Sequence, residues 1–212
     1  MATTEVNGKI CLNPAYDVRE KDIVRYDGQK IKPINKTFVI MLNKPKNVIS
    51  TMKDTMGRKI VTDFIPKNFK LNPIGRLDQN TTGLLLFTND GDLHQLLTHP
   101  KNKISKDYEA IIEGKLNSTQ KRKIQRGIYI GQKEFGQAEI LSQITEKTRS
   151  KVLLRLRHGK KREIRRIFCK LKFKLHNLKR IGFSKIKLGD LKEGHCRQLT
   201  KSEISGLKNS MT

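Results

Sequence analysis

No apolar run in this 212-residue chain is longer than a short strand. The longest, such as Leu84 to Phe87 ("LLLF") and Phe38 to Leu42 ("FVIML"), fall far below the about 20 residues a membrane-spanning helix needs. A core must therefore be assembled from several short segments. Apolar residues make up 35% of the chain, enough for one main core of ordinary size with a small appendage.

The turn signals divide the chain. Residues 5–31 carry Asn7-Gly8, Asn13-Pro14 and Asp27-Gly28 between short apolar pieces, which predicts small strands joined by turns and no helix. "KPINK", 32–36, reads as a linker before the strand "FVIML". This places residues 1–35 in a small segment plus linker and 36–212 in a main domain. In "NKPKNVIST", 43–51, Asn43 and Pro45 bracket Lys44, and the chain turns before a second strand. "GLLLFT" is short and apolar enough to be a core strand. Asp92 is placed to cap a helix "LHQLLTHP" that stops before Pro100. "DYEAIIEGKL" reads as a strand ending at Gly114. "NSTQKRKIQRGI" reads as a basic helix capped by Asn117 or Ser118 and closed by Gly127.

Farther on, "KVLLRLRHGKKREIRRIFCKLKFKL" carries a strand, a Gly turn and a helix. Ile164, Ile167, Phe168 and Leu171 recur at helical spacing on one buried face, while Arg162, Arg165, Arg166 and Lys170 fall elsewhere. Guanidinium groups on such a face suit phosphate binding, because the planar fork takes two oxygens at once. A merely solvated basic face is the alternative. The segment after it alternates apolar and polar positions, predicting a strand pair before a short C-terminal helix. Strands and helices interleave without a βαβ rhythm or a Gly-rich nucleotide loop, so the class is α+β.

Charge points to the partner. Forty-five Lys and Arg face 20 Asp and Glu, a formal net charge of +25, so the chain should bind a polyanion, first of all nucleic acid. A membrane surface is the weaker rival, since no long basic amphipathic helix stands apart. The N-terminus lacks a secretory pattern, so a cytoplasmic protein is expected. Cys11, Cys169 and Cys196 are widely spaced, form no metal-ligand pattern, and read as reduced packing residues. The five histidines are scattered and carry no metal or catalytic assignment.

One stretch departs from the basic background. "GRLDQNTTGLLLFTNDG", 75–91, sets Arg76 and Asp78 in a turn ahead of the apolar run. Alone, GRLD could be an ordinary surface ion pair. The whole string, however, strongly resembles the catalytic signature of RNA pseudouridine synthases of the RsuA/RluB/RluE/RluF family. "MLNKPKNVIST" resembles that family's LNKPxGxxST segment, "KDYEAIIEGKL" its tyrosine strand and "HGKKREIRRIF" its arginine segment. "LHNLKRIGFSKIKLGDLKEGHCRQLTKSEI" is similar to its closing pattern. The resemblance runs from about residue 38 to 204 and implies the family's catalytic fold, with a mixed, mainly antiparallel sheet, preceded by a partial S4-like segment.

Carried over by position, it implies that Asp78 is the catalytic nucleophile or base, Tyr108 stacks on the target base, and Arg165 pairs with Asp78. Leu178 becomes the apolar wall of the pocket, and Arg76 fills the gap left in the RNA stack when the uridine leaves. Lys44, Arg162 and Arg166 join the substrate-binding set. Extruding a base costs a few kcal/mol, and a guanidinium stacking in its place recovers part of that. An opposing Arg also favours the charged carboxylate that attack or proton abstraction requires. The implied reaction isomerises uridine to pseudouridine and needs no cofactor and no metal.

"NTTGLLLFTNDGDLHQLLTHP" resembles most the large-subunit synthase B branch, implying a monomer acting on a uridine of 23S rRNA near the peptidyl-transferase centre. The 16S branch is the nearest alternative. A non-catalytic rRNA-binding or ribosome-assembly factor is the rival from another class; phosphate binding alone gives no reason for a carboxylate beside the cations.

Two departures stand out. Asn47 occupies the usual Gly position after the Lys-Pro pair, where its tolerance of positive φ should preserve the turn. Residues 5–31 resemble the second half of an S4 RNA-binding domain without its two preceding helices. Truncation, a start set too late, or transfer of RNA binding to the basic catalytic domain would each produce such a remnant, which has little core of its own.

Overall fold

The computed structural model describes residues 3–31, 37–67 and 69–209, so the expected linker at 32–36 lies outside the described residues. Two compact units emerge, Met1–Thr37 and Phe38–Thr212.

The small unit is a four-stranded antiparallel sheet of β1 (Thr4–Val6), β2 (Lys9–Ile10), β3 (Val24–Tyr26) and β4 (Gln29–Ile31), in the order β2-β1-β3-β4. Its two hairpins turn on Asn7-Gly8 and Asp27-Gly28, all four with positive φ, as the tightest two-residue turns require. The Asn7 side chain ties the sheet to the long loop: its amide donates to Asp22 and its carbonyl accepts from the Ile23 N–H, both at 2.9 Å. Val6 is buried, but Ile10, Leu12, Tyr16, Val18, Ile23, Tyr26 and Ile31 are exposed.

In the larger unit, β5 (Val39–Lys44), β6 (Asn72–Ile74), β7 (Thr82–Thr88), β8 (Lys106–Glu113), β11 (Glu139–Glu146), β12 (Arg149–Leu156), β13 (Leu175–Phe183), β14 (Ile186–Lys187) and β15 (Cys196–Gln198) form one sheet. The main order is β11-β12-β8-β13-β7-β5-β15, with β14 on β13 and β6 on β7. β13 and β7 run parallel; the other strand pairs are antiparallel. β9 (Ile128–Gly131) and β10 (Glu134–Gly136) form a separate hairpin. The helices are α1 (Gly91–Thr98), α2 (Ser118–Arg126), α3 (Glu163–Lys170) and α4 (Lys201–Lys208). The α+β class and the mixed, mainly antiparallel sheet are those expected from sequence.

β5 and β7 are apolar almost throughout because both faces of the sheet are covered. Ile40, Leu42, Leu85 and Phe87 pack into one cluster with Ile124 of α2 and Ile164, Ile167 and Phe168 of α3. Val39, Met41, Leu84 and Leu86 pack into the other with Leu93 and Leu97 of α1 and Leu207 of α4. A period of two sends alternate residues to opposite layers. Leu171, expected on the buried face of α3, lies past the helix end and is half-buried.

The caps refine two expectations. α2 has the reciprocal Asn117–Gln120 capping box and closes at Gly127. α1 is capped by Asp90, whose carboxylate accepts the Leu93 N–H at 2.9 Å, and Asp92 sits in the first turn. Nor does a full strand follow "NKPKNVIST"; there is a single bridge, Ile49 to Ile60. Among the described residues no helix is long and apolar enough to cross a membrane.

Candidate active site

The loop between β6 and β7 carries Arg76 and Asp78, and its backbone is held on both sides of the carboxylate. Leu77 sinks into the core, and the buried Ser50 hydroxyl donates to its carbonyl at 2.8 Å while accepting its N–H at 3.1 Å. The Gln79 carbonyl accepts the Asn47 N–H at 2.9 Å and the Lys44 Nζ at 3.3 Å. Asn47 has φ +64°, so Asn meets here the left-handed geometry that Gly usually supplies. The Thr81 N–H closes the turn onto the Asp78 carbonyl at 2.9 Å.

A cation stands against the carboxylate. Arg165 of α3 donates through Nη2 to the Asn80 carbonyl at 2.9 Å and to Thr81 Oγ1 at 3.0 Å, and its Nε lies 3.6 Å from Asp78 Oδ2. Burial lowers the Arg165 pKa while the Asp78 charge opposes that shift; a guanidinium nevertheless stays protonated. The Asp78 side chain remains 42% exposed and that of Arg165 21%. The result is an exposed carboxylate seated beside a half-buried guanidinium.

Tyr108 lies on β8 between Leu154 of β12 and Arg180 of β13, and Leu178 lies on β13 opposite Ala110. Both are buried and belong, with Leu77 and Ile164, to one apolar cluster. Asp78 and Arg165 thus follow core residues of the layer that contains Tyr108 and Leu178. Arg76 is exposed, as is Arg162, which holds the left-handed residue ahead of α3.

Two residues expected in the substrate-binding set make hydrogen bonds within the protein. Lys44 is fully buried, with Nζ donating to the carbonyls of Pro45 and Val48 at 2.8 Å as well as to that of Gln79. Burial draws its pKa down to about 8 against the opposing charges of Glu193 and Asp78. Arg166 pairs with Glu134 at 2.5 Å and donates to the carbonyls of Ile130 at 3.1 Å and Gly131 at 2.7 Å. Cationic character is written in the sequence, but its use depends on which acceptors the fold brings near.

Sequence reasoning passed over Ser50 and Thr81, whose hydroxyls fix the Asp78 loop and Arg165. A small polar residue inside an apolar segment, as Ser50 is in "NVIST", was the available signal. Glu163 was also missed: it is buried and accepts the N–H groups of Gln137 and Lys160, ordering the entry to α3. A cleft of about 290 Å³ lined by Gln125, Glu139, Arg155, Arg157 and His158 includes none of the candidate site residues.

The family model described as RNA pseudouridylate synthase matches residues 38–170. The chain belongs to this family. It is an RNA pseudouridine synthase, an isomerase. Ribosomal large subunit pseudouridine synthase B of Bacillus subtilis is 36% identical over 208 residues, covering 96% of this chain and 84% of the relative. An uncharacterized RNA pseudouridine synthase of Aquifex aeolicus is 33% identical, covering 96% and 82%. A crystal structure of a pseudouridylate synthase superposes with a TM-score of 0.74 at 27% identity, covering 97% of this chain and 88% of that one. The matched family segment spans the Asp78 loop, Tyr108 and Arg165.

Proposed function

We propose that this synthase converts one uridine of ribosomal RNA to pseudouridine with Asp78 as its catalytic carboxylate, and that the target lies in 23S rRNA near the peptidyl-transferase centre. The observation that carries the reading is the exposed Asp78 carboxylate on a backbone held at both neighbours, 3.6 Å from Arg165. A reacting group is effective when its geometry is fixed before the substrate arrives.

The isomerisation breaks the N1–C1′ bond, turns the uracil, and joins C5 to C1′. The C5 proton leaves and N1 gains one, so nothing is consumed. Asp78 serves as nucleophile toward sugar or base, or as the base that removes a sugar proton; each role needs an anion at the open end of the site. Arg165 orients that anion and supplies the compensating cation. Arg76 and Arg162 are exposed and meet RNA, Arg76 by filling the stack vacated by the extruded uridine. Tyr108 and Leu178 form the walls on which the uracil lies. The small unit, as an S4-like segment, adds an RNA-facing surface.

The large-subunit relative at 36% identity favours 23S over 16S rRNA. Tritium release from 23S transcript labelled at uridine C5 tests the reading, comparing wild type with Asp78→Asn. Release by wild type that disappears in the variant while RNA binding persists is the expected result. Release only from 16S transcript would move the target, and no release from either would overturn the proposal.

A further inference from the structure

The β9–β10 hairpin has two unlike faces. Inward, Ile130 and Gly136 press on Ile167 of α3, so closely that a Cβ at Gly136 would lie 2.8 Å from the Ile167 side chain. Outward, Tyr129 and Phe135 sit opposite each other across the strands, with ring centroids 5.6 Å apart in edge-on contact. They are 47% and 60% exposed, whereas every other described Phe or Tyr of the larger unit is buried or half-buried.

The surroundings of this ridge are cationic. The Lys170 ammonium stands 5.8 Å from the centre of the Tyr129 ring, Lys160 donates to the Phe135 carbonyl, and Lys133 is exposed in the turn. The hairpin's own acid, Glu134, is neutralised by Arg166. Consecutive residues of α3 therefore serve two places: Arg165 reaches the Asp78 loop and Arg166 holds the hairpin.

We propose that the outer face of this hairpin, Tyr129 and Phe135 flanked by Lys133, Lys160 and Lys170, is a stacking platform for unpaired nucleotides of the RNA substrate next to the target uridine. Bases offer flat π faces to the rings while their phosphates meet the ammonium groups, the pairing that single-strand binders use. Two rings within a cluster of lysines suit a polyanion with flat apolar groups better than an apolar protein surface. The inference deepens the RNA-modifying reading and rests on it.

The test measures binding of the full chain to a short fluorescent oligocytidylate, which has no uridine to isomerise, and to an RNA duplex of equal length. Tyr129→Ala with Phe135→Ala should weaken the single-strand complex by about tenfold. The slope of log affinity against log salt should stay the same, because no cation is removed, and duplex binding should not change. Tyr129→Phe with Phe135→Tyr should restore affinity. Unchanged single-strand affinity, an equal loss on duplex, or a variant that differs from wild type in oligomeric state by sedimentation would each overturn the platform. Tritium release is scored separately, so loss of the catalytic reading and loss of the platform are distinguishable.

Discussion

Asp78 keeps its place because its neighbours are held, and one of those holds is a single hydroxyl. Ser50 satisfies both the N–H and the carbonyl of Leu77 in a buried setting. Ser50→Ala would leave two buried backbone groups unpaired and should cost about 2 kcal/mol of stability. It should also lower kcat by about tenfold while leaving RNA affinity near wild type, because the loop loses its alignment and not its charge. Urea unfolding and single-turnover isomerisation measure the two effects. If kcat is unchanged, the clamp has no part in catalysis. Asn47 shows how much could be read at this scale: its tolerance of positive φ was visible in the residue type, and φ +64° is where it stands. The α1 cap was less legible, since Asp90 and Asp92 both suit a helix start. In the fold it is Asp90 whose backbone is still extended just before the first helical residue, Gly91.

At the scale of elements, the parallel pair β7–β13 is the most exacting contact. Gly83 faces Arg180, and a Cβ at Gly83 would lie 2.2 Å from the Arg180 carbonyl oxygen, with φ +102° at the glycine adding strain. Backbone cannot yield as a flexible side chain does. Gly83→Ala should therefore cost at least about 3 kcal/mol or leave little soluble protein, as thermal melting would reveal; a variant melting within a degree of wild type would contradict this packing. The C-terminal helix offers a pH test. Glu203 caps α4 with Thr200 and accepts both Arg197 Nη groups, at 2.7 and 2.9 Å. The hydrogen bonds from Arg197 hold its pKa at about 2, below the ordinary 4.5. A depressed carboxylate stabilises fully above the unfolded value and loses that contribution as pH falls toward the folded one. The melting gap between wild type and Glu203→Gln should thus be present at neutral pH and close between pH 4.5 and about 2. Partial exposure keeps it to about 1 kcal/mol. A gap that persists below that range would assign it to packing.

For the whole molecule, the net charge of +25 governs association. RNA affinity should fall about a thousandfold between about 50 and about 200 mM salt, the behaviour of about six phosphates neutralised with release of their counterions. Filter binding across that range measures it, and a flat dependence would mean that the basic residues do not face the RNA. The sequence by itself determined where the main core strands run, because short apolar runs between turn residues have few other uses. It also determined the α+β class, the helix stops at Pro100 and Gly127, and the string around Asp78 that points to one family. The β9–β10 hairpin escaped it, since "IYIGQKEFG" is too short and mixed to show a period. Tertiary structure alone decided how the cations are employed. Lys44, Arg166 and the buried Arg180 bond to backbone carbonyls, those of Arg180 and Arg166 supplied by Leu84, Ile130 and Gly131, whereas Arg76 and Arg162 stay open to solvent. Charge belongs to the residue, but whether it is spent inside the protein or left open to solvent depends on acceptors that the fold sets in reach, one to 35 residues away for Lys44 and 96 away for Arg180.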